Sequence, residues 1–158
     1  MLAEQPSLAA MEVTVADQWA GIAWRNVEKG REDQKLKDEA FVAKEKRIKR
    51  DAPLFWSEVR AAMKEMYKAF NDEAGNDVLL WDSERSYQVL IRIASSSATF
   101  SANYNPETLH IETEWKRETE TYSPTLRDEG LLFSGHGRDF APHDLAKRFL
   151  DLIVKSVR

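Results

Sequence analysis

The sequence predicts an α+β fold: an antiparallel sheet of about four to five strands packed by helices, with an N-terminal helical arm and a C-terminal helix. Apolar residues recur every three to four positions between residues 55 and 70, every second position between residues 87 and 116, and every three to four positions after residue 143. Helical and strand patterns do not alternate along the chain, which favours this class over a parallel sheet with crossover helices. We expect residues 1–50 to form the N-terminal helical arm and residues 51–158 the core domain, or residues 1–158 to form a single domain.

The first predicted helix follows a loose lead-in of residues 1–13. Thr14 and Asp17 have the spacing of a capping box at its start, and Gly30 is a typical signal for its end. Trp19, Ile22 and Trp24 lie between these signals, among small residues that would let another helix approach closely. A helix that is apolar on more than one side needs to be covered on more than one side. These three side chains are therefore candidate contacts for a partner, and the alternative is that the arm folds back on its own core.

A second helix is predicted over residues 31–50, exposed and with only a narrow apolar seam. It begins with acidic residues and ends with basic ones, a polarity that suits the helix dipole, and Asp51 to Pro53 predict a break after it. The basic side chains near its end are Lys44, Lys46, Arg47, Lys49 and Arg50.

These basic residues are candidate contacts for the phosphates of a nucleic acid. However, the net charge of the chain is −4, which disfavours tight binding to a polyanion, and no aromatic residue within the run could stack on bases. We therefore favour a solvated helix end over a nucleic-acid site.

The core domain is predicted to begin with a helix that ends near Glu73. The following runs alternate apolar and polar residues with short connections, which is typical of an antiparallel meander. The predicted strands are residues 78–81, 87–93, 99–104, 109–116 and 131–134, with residues 118–122 either extending the third alternating run or forming a strand. Ser123 and Pro124 are expected to open a loop, and residues 143–157 to form the last helix.

Residues 135–144, GHGRDFAPHD, contain two of the three histidines and raise the question of a metal or hydrolytic site. A helix capped at Ala141 explains the segment more simply, because Pro142 then occupies the first helical position and Asp144 the positive end of the helix. His136 would lie in a turn between two glycines. His143 and Asp139 could supply two metal ligands, but a catalytic zinc site generally needs a third, which we cannot assign.

A second candidate site lies on the predicted sheet. His110, Glu112 and Glu114 share one face of a strand by alternation, and this combination can bind a divalent ion or do acid–base chemistry. The alternative that we favour is a solvated sheet face on which Arg92 or Lys116 pairs with the acidic residues across strands. If nothing covers this face, it forms a shallow polar platform.

The composition excludes several classes of protein. The chain of 158 residues has no cysteine, which removes disulfides, thiolate nucleophiles and cysteine metal sites. We expect no signal peptide and no transmembrane helix, and we expect a cytoplasmic protein. Glycine-rich nucleotide-binding motifs and the serine nucleophile motif are absent from the sequence.

These observations predict a soluble, non-enzymatic interaction or scaffold protein that self-associates, most simply as a dimer, through its N-terminal arm. No cofactor, bound metal or membrane is expected. The alternative is a module that binds a small ligand or a polyanion such as nucleic acid. A third interpretation is a metal-dependent or acid–base enzyme that uses His110, or His136 with His143.

Overall fold

A computed structural model describes the backbone of residues 8–157 and the side chains of residues 14–157. A long helix, α1 (Leu8–Ala74), precedes seven strands and a final helix, α2 (Pro142–Val154). The strands are β1 (Leu79–Trp81), β2 (Gln88–Ile93), β3 (Thr99–Tyr104), β4 (Ile111–Trp115), β5 (Glu118–Arg127), β6 (Gly130–Gly135) and β7 (Arg138–Phe140). The α+β class is therefore confirmed, but the predicted count of four to five strands is wrong.

The chain divides into two compact units, Met1–Ala43 and Lys44–Arg158. The predicted lead-in is helical from Leu8, and its first seven residues lie outside the described part of the chain. The division into an arm of residues 1–50 and a core of residues 51–158 stays a prediction.

Helix α1 replaces the three helices that the sequence predicts. Thr14 lies inside it and does not cap it, and neither Gly30 nor Asp51 ends it. A glycine within a helix costs only about 1 kcal/mol, which strong helix formers on both sides can offset. Pro53 stays within α1 because Ala52, directly before it, and Phe55, two residues after it, are buried in the core and hold the helix there. The helix ends before Gly75, as predicted, and this glycine has a φ of +78°.

The seven strands form one antiparallel meander, in which each strand pairs with the next along the chain. The predicted faces of β2 and β3 are confirmed: Val89, Ile91 and Phe100 are fully buried, whereas Gln88, Leu90 and Ser101 alternate with them and retain exposure. Alternate strand residues pack with residues of α1 from Ala52 onward and with α2 in one hydrophobic core. This packing fixes the register of the sheet, because a slip by one residue would expose every buried side chain.

The prediction of a loop at Ser123 and Pro124 is wrong, because both residues lie within β5. This strand changes partner there: its residues up to Tyr122 pair with β4, and its residues from Ser123 pair with β6. Proline has no N–H to donate to a ladder, so a position where the pairing changes accommodates it. Residues 118–122 begin β5 and do not extend β4, because Lys116 and Arg117, both with positive φ, make a two-residue turn after β4.

Strand β7 was not predicted from the sequence. His136 and Gly137 have φ values of +53° and +67° and join β6 to β7 as a two-residue hairpin turn, closed by the pair Gly135 and Arg138. The predicted start of the following helix is confirmed, since Ala141 is the N-cap residue of α2, Pro142 begins the helix and Asp144 lies in its first turn, but α2 ends at Val154 and not at residue 157.

Candidate functional site

The segment between Val15 and Val27 of α1 exposes large apolar side chains. Trp19 is 71% exposed, Ile22 56% and Trp24 52%, and Val15 and Val27 lie at 65% and 45%. Ordinary soluble proteins expose apolar side chains singly, and a contiguous apolar surface generally marks a site of interaction. The first unit thus presents a candidate interface.

The three predicted contact residues of this segment do not share one face. At 100° per residue, Ile22 lies roughly 60° from Trp19 around the helix, whereas Trp24 lies roughly 140° from it. Trp24 is also held on its own helix, since its Nε1 donates a hydrogen bond to Glu28 Oε1 at 2.7 Å and the Arg31 guanidinium lies 5.2 Å from the ring centroid. Trp19 and Ile22 are the pair that the helix presents together.

The charges of residues 14–43 nearly balance. This segment has a net charge of −1, since five basic residues oppose six acidic ones: Arg25, Lys29, Arg31, Lys35 and Lys37 against Asp17, Glu28, Glu32, Asp33, Asp38 and Glu39. A second copy of the segment would therefore meet little net repulsion, and no strong field draws a highly charged partner to it.

The predicted basic site lies in the second unit and consists of Lys44, Lys46, Arg47, Lys49 and Arg50, all of which are exposed. These positions spread over roughly 220° of the helix surface, so they do not form one stripe. Arg50 donates to Asp51 at 2.9 Å, and Arg47 Nε lies 3.7 Å from the same carboxylate. The hydrogen bond from Arg50 lowers the pKa of Asp51, which keeps a negative charge within the basic segment.

The two histidines of residues 135–144 have different surroundings. The His136 Nε2 lies 2.8 Å from Glu120 Oε1, whereas His143 is exposed in the first turn of α2. Asp139, which we considered as a metal ligand beside His143, accepts hydrogen bonds from Ser134 and from Arg127, the latter at 3.0 Å. These bonds, the one from Ser134 above all, lower the pKa of Asp139. Within residues 14–157, no group of three or more acidic or histidine side chains is placed to hold a metal ion.

A polar cluster that the sequence did not predict lies around Tyr122, and it consists of Glu120, Tyr122, His136 and Arg148. The Tyr122 hydroxyl donates to Glu120 and accepts a hydrogen bond from Arg148 Nε at 2.9 Å, and Arg148 also lies 3.3 Å from Glu120. Burial, followed by the bond to Glu120, raises the pKa of Tyr122 to about 12. Glu120 and Tyr122 could have been grouped from the sequence, because residues two apart share a strand face. Arg148 lies too far along the chain for such reasoning.

The solvent face of the sheet carries the second predicted site. Glu112 and Glu114 are exposed on β4, opposite Asn103 and Ser101 of β3. The expected cation partners bind elsewhere: Arg92 pairs with Asp82 at 3.0 Å, and Lys116 lies 5.6 Å from the ring centroid of Trp115. The predicted pairing of Glu112 and Glu114 with these cations is therefore wrong.

His110 is the third residue predicted for that site, and it lies before β4 rather than in it. The preceding residue, Leu109, has a φ of +63°, so the extended strand begins only at Ile111. His110 therefore takes no part in the strand alternation from which we predicted that it shares a face with Glu112 and Glu114.

A surface pocket of about 340 Å³ lies between β7 and α2. Its walls carry both signs of charge, with Arg138, Lys147 and Lys155 beside Asp144 and Asp151. Two of these side chains neutralise each other, since Lys147 Nζ lies 3.5 Å from Asp151. The pocket therefore has no strong preference for one sign of ligand charge.

Comparison of the chain with protein-family models, curated proteins and solved structures found no match. No helix within residues 8–157 is both long and apolar enough to cross a membrane.

Proposed function

We propose that this chain is a non-enzymatic interaction protein that self-associates through the N-terminal part of α1. The observation that carries the proposal is the exposed apolar segment between Val15 and Val27, with Trp19 at 71% exposure. Burying a fully exposed side chain the size of isoleucine stabilises a complex by about 1.5–3 kcal/mol, so covering Ile22, which is 56% exposed, contributes on the order of half of that. Tryptophan is enriched among the residues that dominate binding energy. Covering these side chains on a partner would therefore contribute to association.

A second copy of the chain is the partner that the segment suits best. Its net charge of −1 over residues 14–43 produces little repulsion between copies. Ala16 and Ala23, which lie roughly 60° and 40° from Trp19 around the helix, are small, so a second helix could approach the backbone closely beside it. Closed dimers are also the commonest assemblies of soluble proteins.

The alternative of polyanion binding has weaker support. The five basic residues between Lys44 and Arg50 are spread around the helix surface and do not share one face. Asp51 forms ion pairs with two of them. The pocket between β7 and α2 offers a place for a small ligand, but its mixed charges favour no particular chemistry.

Light scattering on a sizing column tests the proposal. The full chain should elute with the mass of a dimer, and the double variant Trp19→Gln with Ile22→Gln should elute as a folded monomer. The matched control is Asp17→Ala with Arg31→Ala, which changes two exposed polar residues on the opposite surface of the same helix and should stay dimeric. A full-length monomer, or a double variant that remains dimeric, would overturn the proposal.

A further inference from the structure

Four of the eight large apolar side chains that residues 14–43 expose, Val15, Trp19, Ile22 and Leu36, fall on one seven-residue repeat, whereas Trp24, Val27, Phe41 and Val42 lie outside it. Positions that alternate by steps of four and three along α1 form a single seam, which we call the arm seam: Val15, Trp19, Ile22, Asn26, Lys29, Asp33, Leu36, Ala40 and Ala43. Such a repeat is the pattern of a two-stranded coiled coil, in which the seam of one helix packs into that of the other. Both ends of the seam are apolar and exposed, with Leu36 at 63% exposure, and its middle is polar.

The charged middle of the seam excludes one orientation. In a parallel pair in register, each seam residue meets its own copy. Lys29 would then face the partner's Lys29, and Asp33 would face the partner's Asp33. Two successive layers of like charge at the centre of an interface oppose association, since like charges in close contact are strongly unfavourable.

An antiparallel pair removes this conflict. In one register, Lys29 faces the partner's Asp33, and the two-fold symmetry repeats the same pair on the other side of the centre. The same register places Trp19 against the partner's Ala43 and Ile22 against the partner's Ala40. A large side chain thus faces a small one at both layers, which suits close packing.

The proposed register places the neutral amide of Asn26 against the partner's Leu36, and the neighbouring antiparallel registers are less favourable because they place a charged group against an aliphatic side chain instead. Sliding one helix by seven residues in one direction places Ile22 against the partner's Asp33. Sliding it in the other direction places Leu36 against the partner's Asp33. Each slide buries a carboxylate on an aliphatic side chain without a cation, and such a contact is costly.

We propose that two copies of this chain pair antiparallel along the arm seam, with Lys29 of each copy facing Asp33 of the other. This inference rests on the proposed self-association and adds its orientation and register. Trp24 lies outside the seam, in keeping with its hydrogen bond to Glu28 on its own helix.

Distances between spin labels test the orientation in the full chain. Because the chain has no cysteine, a single Asp17→Cys or Arg31→Cys variant carries one label per copy. Both positions lie on the helix surface opposite the seam, fourteen residues apart. In the proposed register the centre of symmetry falls at residue 31, so the labels at position 17 are displaced by roughly 42 Å along the axis and those at position 31 by about zero.

The outcomes separate the two proposals. A long distance at position 17 with a short one at position 31 supports the antiparallel register, and a slide by seven residues changes the displacement at position 17 by roughly 10 Å. Similar short distances at both positions would overturn the antiparallel pairing while leaving self-association intact. No dipolar coupling at either position, together with a monomeric mass, would overturn self-association itself.

Charge reversal gives an independent test by light scattering. Lys29→Asp places like charges opposite each other in the proposed register and should weaken the dimer by on the order of tenfold or more. Lys29→Asp combined with Asp33→Lys restores opposite charges and should recover the wild-type dissociation constant. In a parallel pair the single reversal replaces one like-charged layer with another, so an unchanged dissociation constant for Lys29→Asp would contradict the proposal.

Discussion

The two units of the chain differ in whether their large apolar side chains are buried or exposed. In the second unit, Phe100, Tyr122 and Phe149 are fully buried and touch one another through their rings, with Phe149 5.3 Å from Phe100 and 5.4 Å from Tyr122 between centroids. In the first unit, Trp19 and Ile22 are more than half exposed. Large apolar side chains therefore stabilise the fold in one unit and remain exposed in the other.

The largest expected effect is on the core of the second unit. Phe149→Ala should lower the free energy of unfolding by about 3–5 kcal/mol, because it removes a fully buried ring and leaves a cavity. Trp19→Ala should change it by no more than about 0.5 kcal/mol, because the side chain is 71% exposed. Denaturant unfolding of the two variants, at a concentration low enough for the monomer, measures both values. Similar losses for the two variants would mean that Trp19 belongs to the fold of the monomer, and the comparison would fail.

The two units also differ in the space around a backbone glycine. A Cβ at Gly135 would lie 2.5 Å from Cδ1 of the buried Tyr122 ring and 3.2 Å from the Thr121 carbonyl oxygen. Gly135→Ala should therefore destabilise the second unit by about 3 kcal/mol. A Cβ at Gly30, within α1, meets nothing within 4 Å, and Gly30→Ala should stabilise the helix by about 1 kcal/mol. Thermal unfolding followed by circular dichroism should show shifts of opposite sign, and shifts of the same sign would contradict this account.

Some elements of the fold could be predicted from the sequence and others could not. Period-two alternation identified the buried faces of β2 and β3, and the Ala141 cap with Pro142 identified the start of α2, because these signals are local. The predicted helix ends at Gly30 and at Asp51 are wrong, because α1 continues through both residues. A helix continues through one glycine or one possible capping residue when the helix propensity of the neighbouring residues outweighs the cost.

The candidate sites show the same limit. The sequence could point to Trp19 and Ile22 because the helix pattern is apolar on several sides, but their exposure is seen only in the structure, since the pattern also allowed the arm to fold back on its core. The Tyr122 cluster could not be predicted, because Arg148 reaches Tyr122 and Glu120 across 26 and 28 residues of chain. Only the packing of α2 against the sheet brings these side chains together.

The free energy of unfolding of the second unit should depend on pH through the hydroxyl group of Tyr122. The folded protein holds the pKa of Tyr122 at about 12, above its ordinary value of 10.0, so the folded state keeps a proton that the unfolded chain loses first. The resulting stability is fully present below pH 10 and is lost as the pH rises toward 12. The loss amounts to roughly 2–3 kcal/mol. The difference between wild type and Tyr122→Phe isolates this contribution, and a difference that stays constant from pH 9 to about pH 12 would contradict it.

The smallest expected effect concerns a second buried tyrosine, Tyr104. Its ring stacks on Trp56 at 6.1 Å between centroids, and its hydroxyl oxygen is buried without a hydrogen-bond partner among the side chains and backbone of the described residues. Burial raises the pKa of Tyr104 as it does that of Tyr122, but no hydrogen bond compensates the hydroxyl. Tyr104→Phe keeps the stacked ring and removes the uncompensated group, so it should stabilise the second unit by about 1 kcal/mol.

The matched control is Tyr122→Phe, the same chemical change at a hydroxyl that donates to Glu120 and accepts from Arg148. It should destabilise the protein by about 1–3 kcal/mol at neutral pH, because a buried network loses its central member. Urea unfolding of the two variants should therefore give shifts of opposite sign. If Tyr104→Phe also destabilises the protein, its hydroxyl has a partner in solution, such as an ordered water, and the two tyrosines are equivalent members of the core.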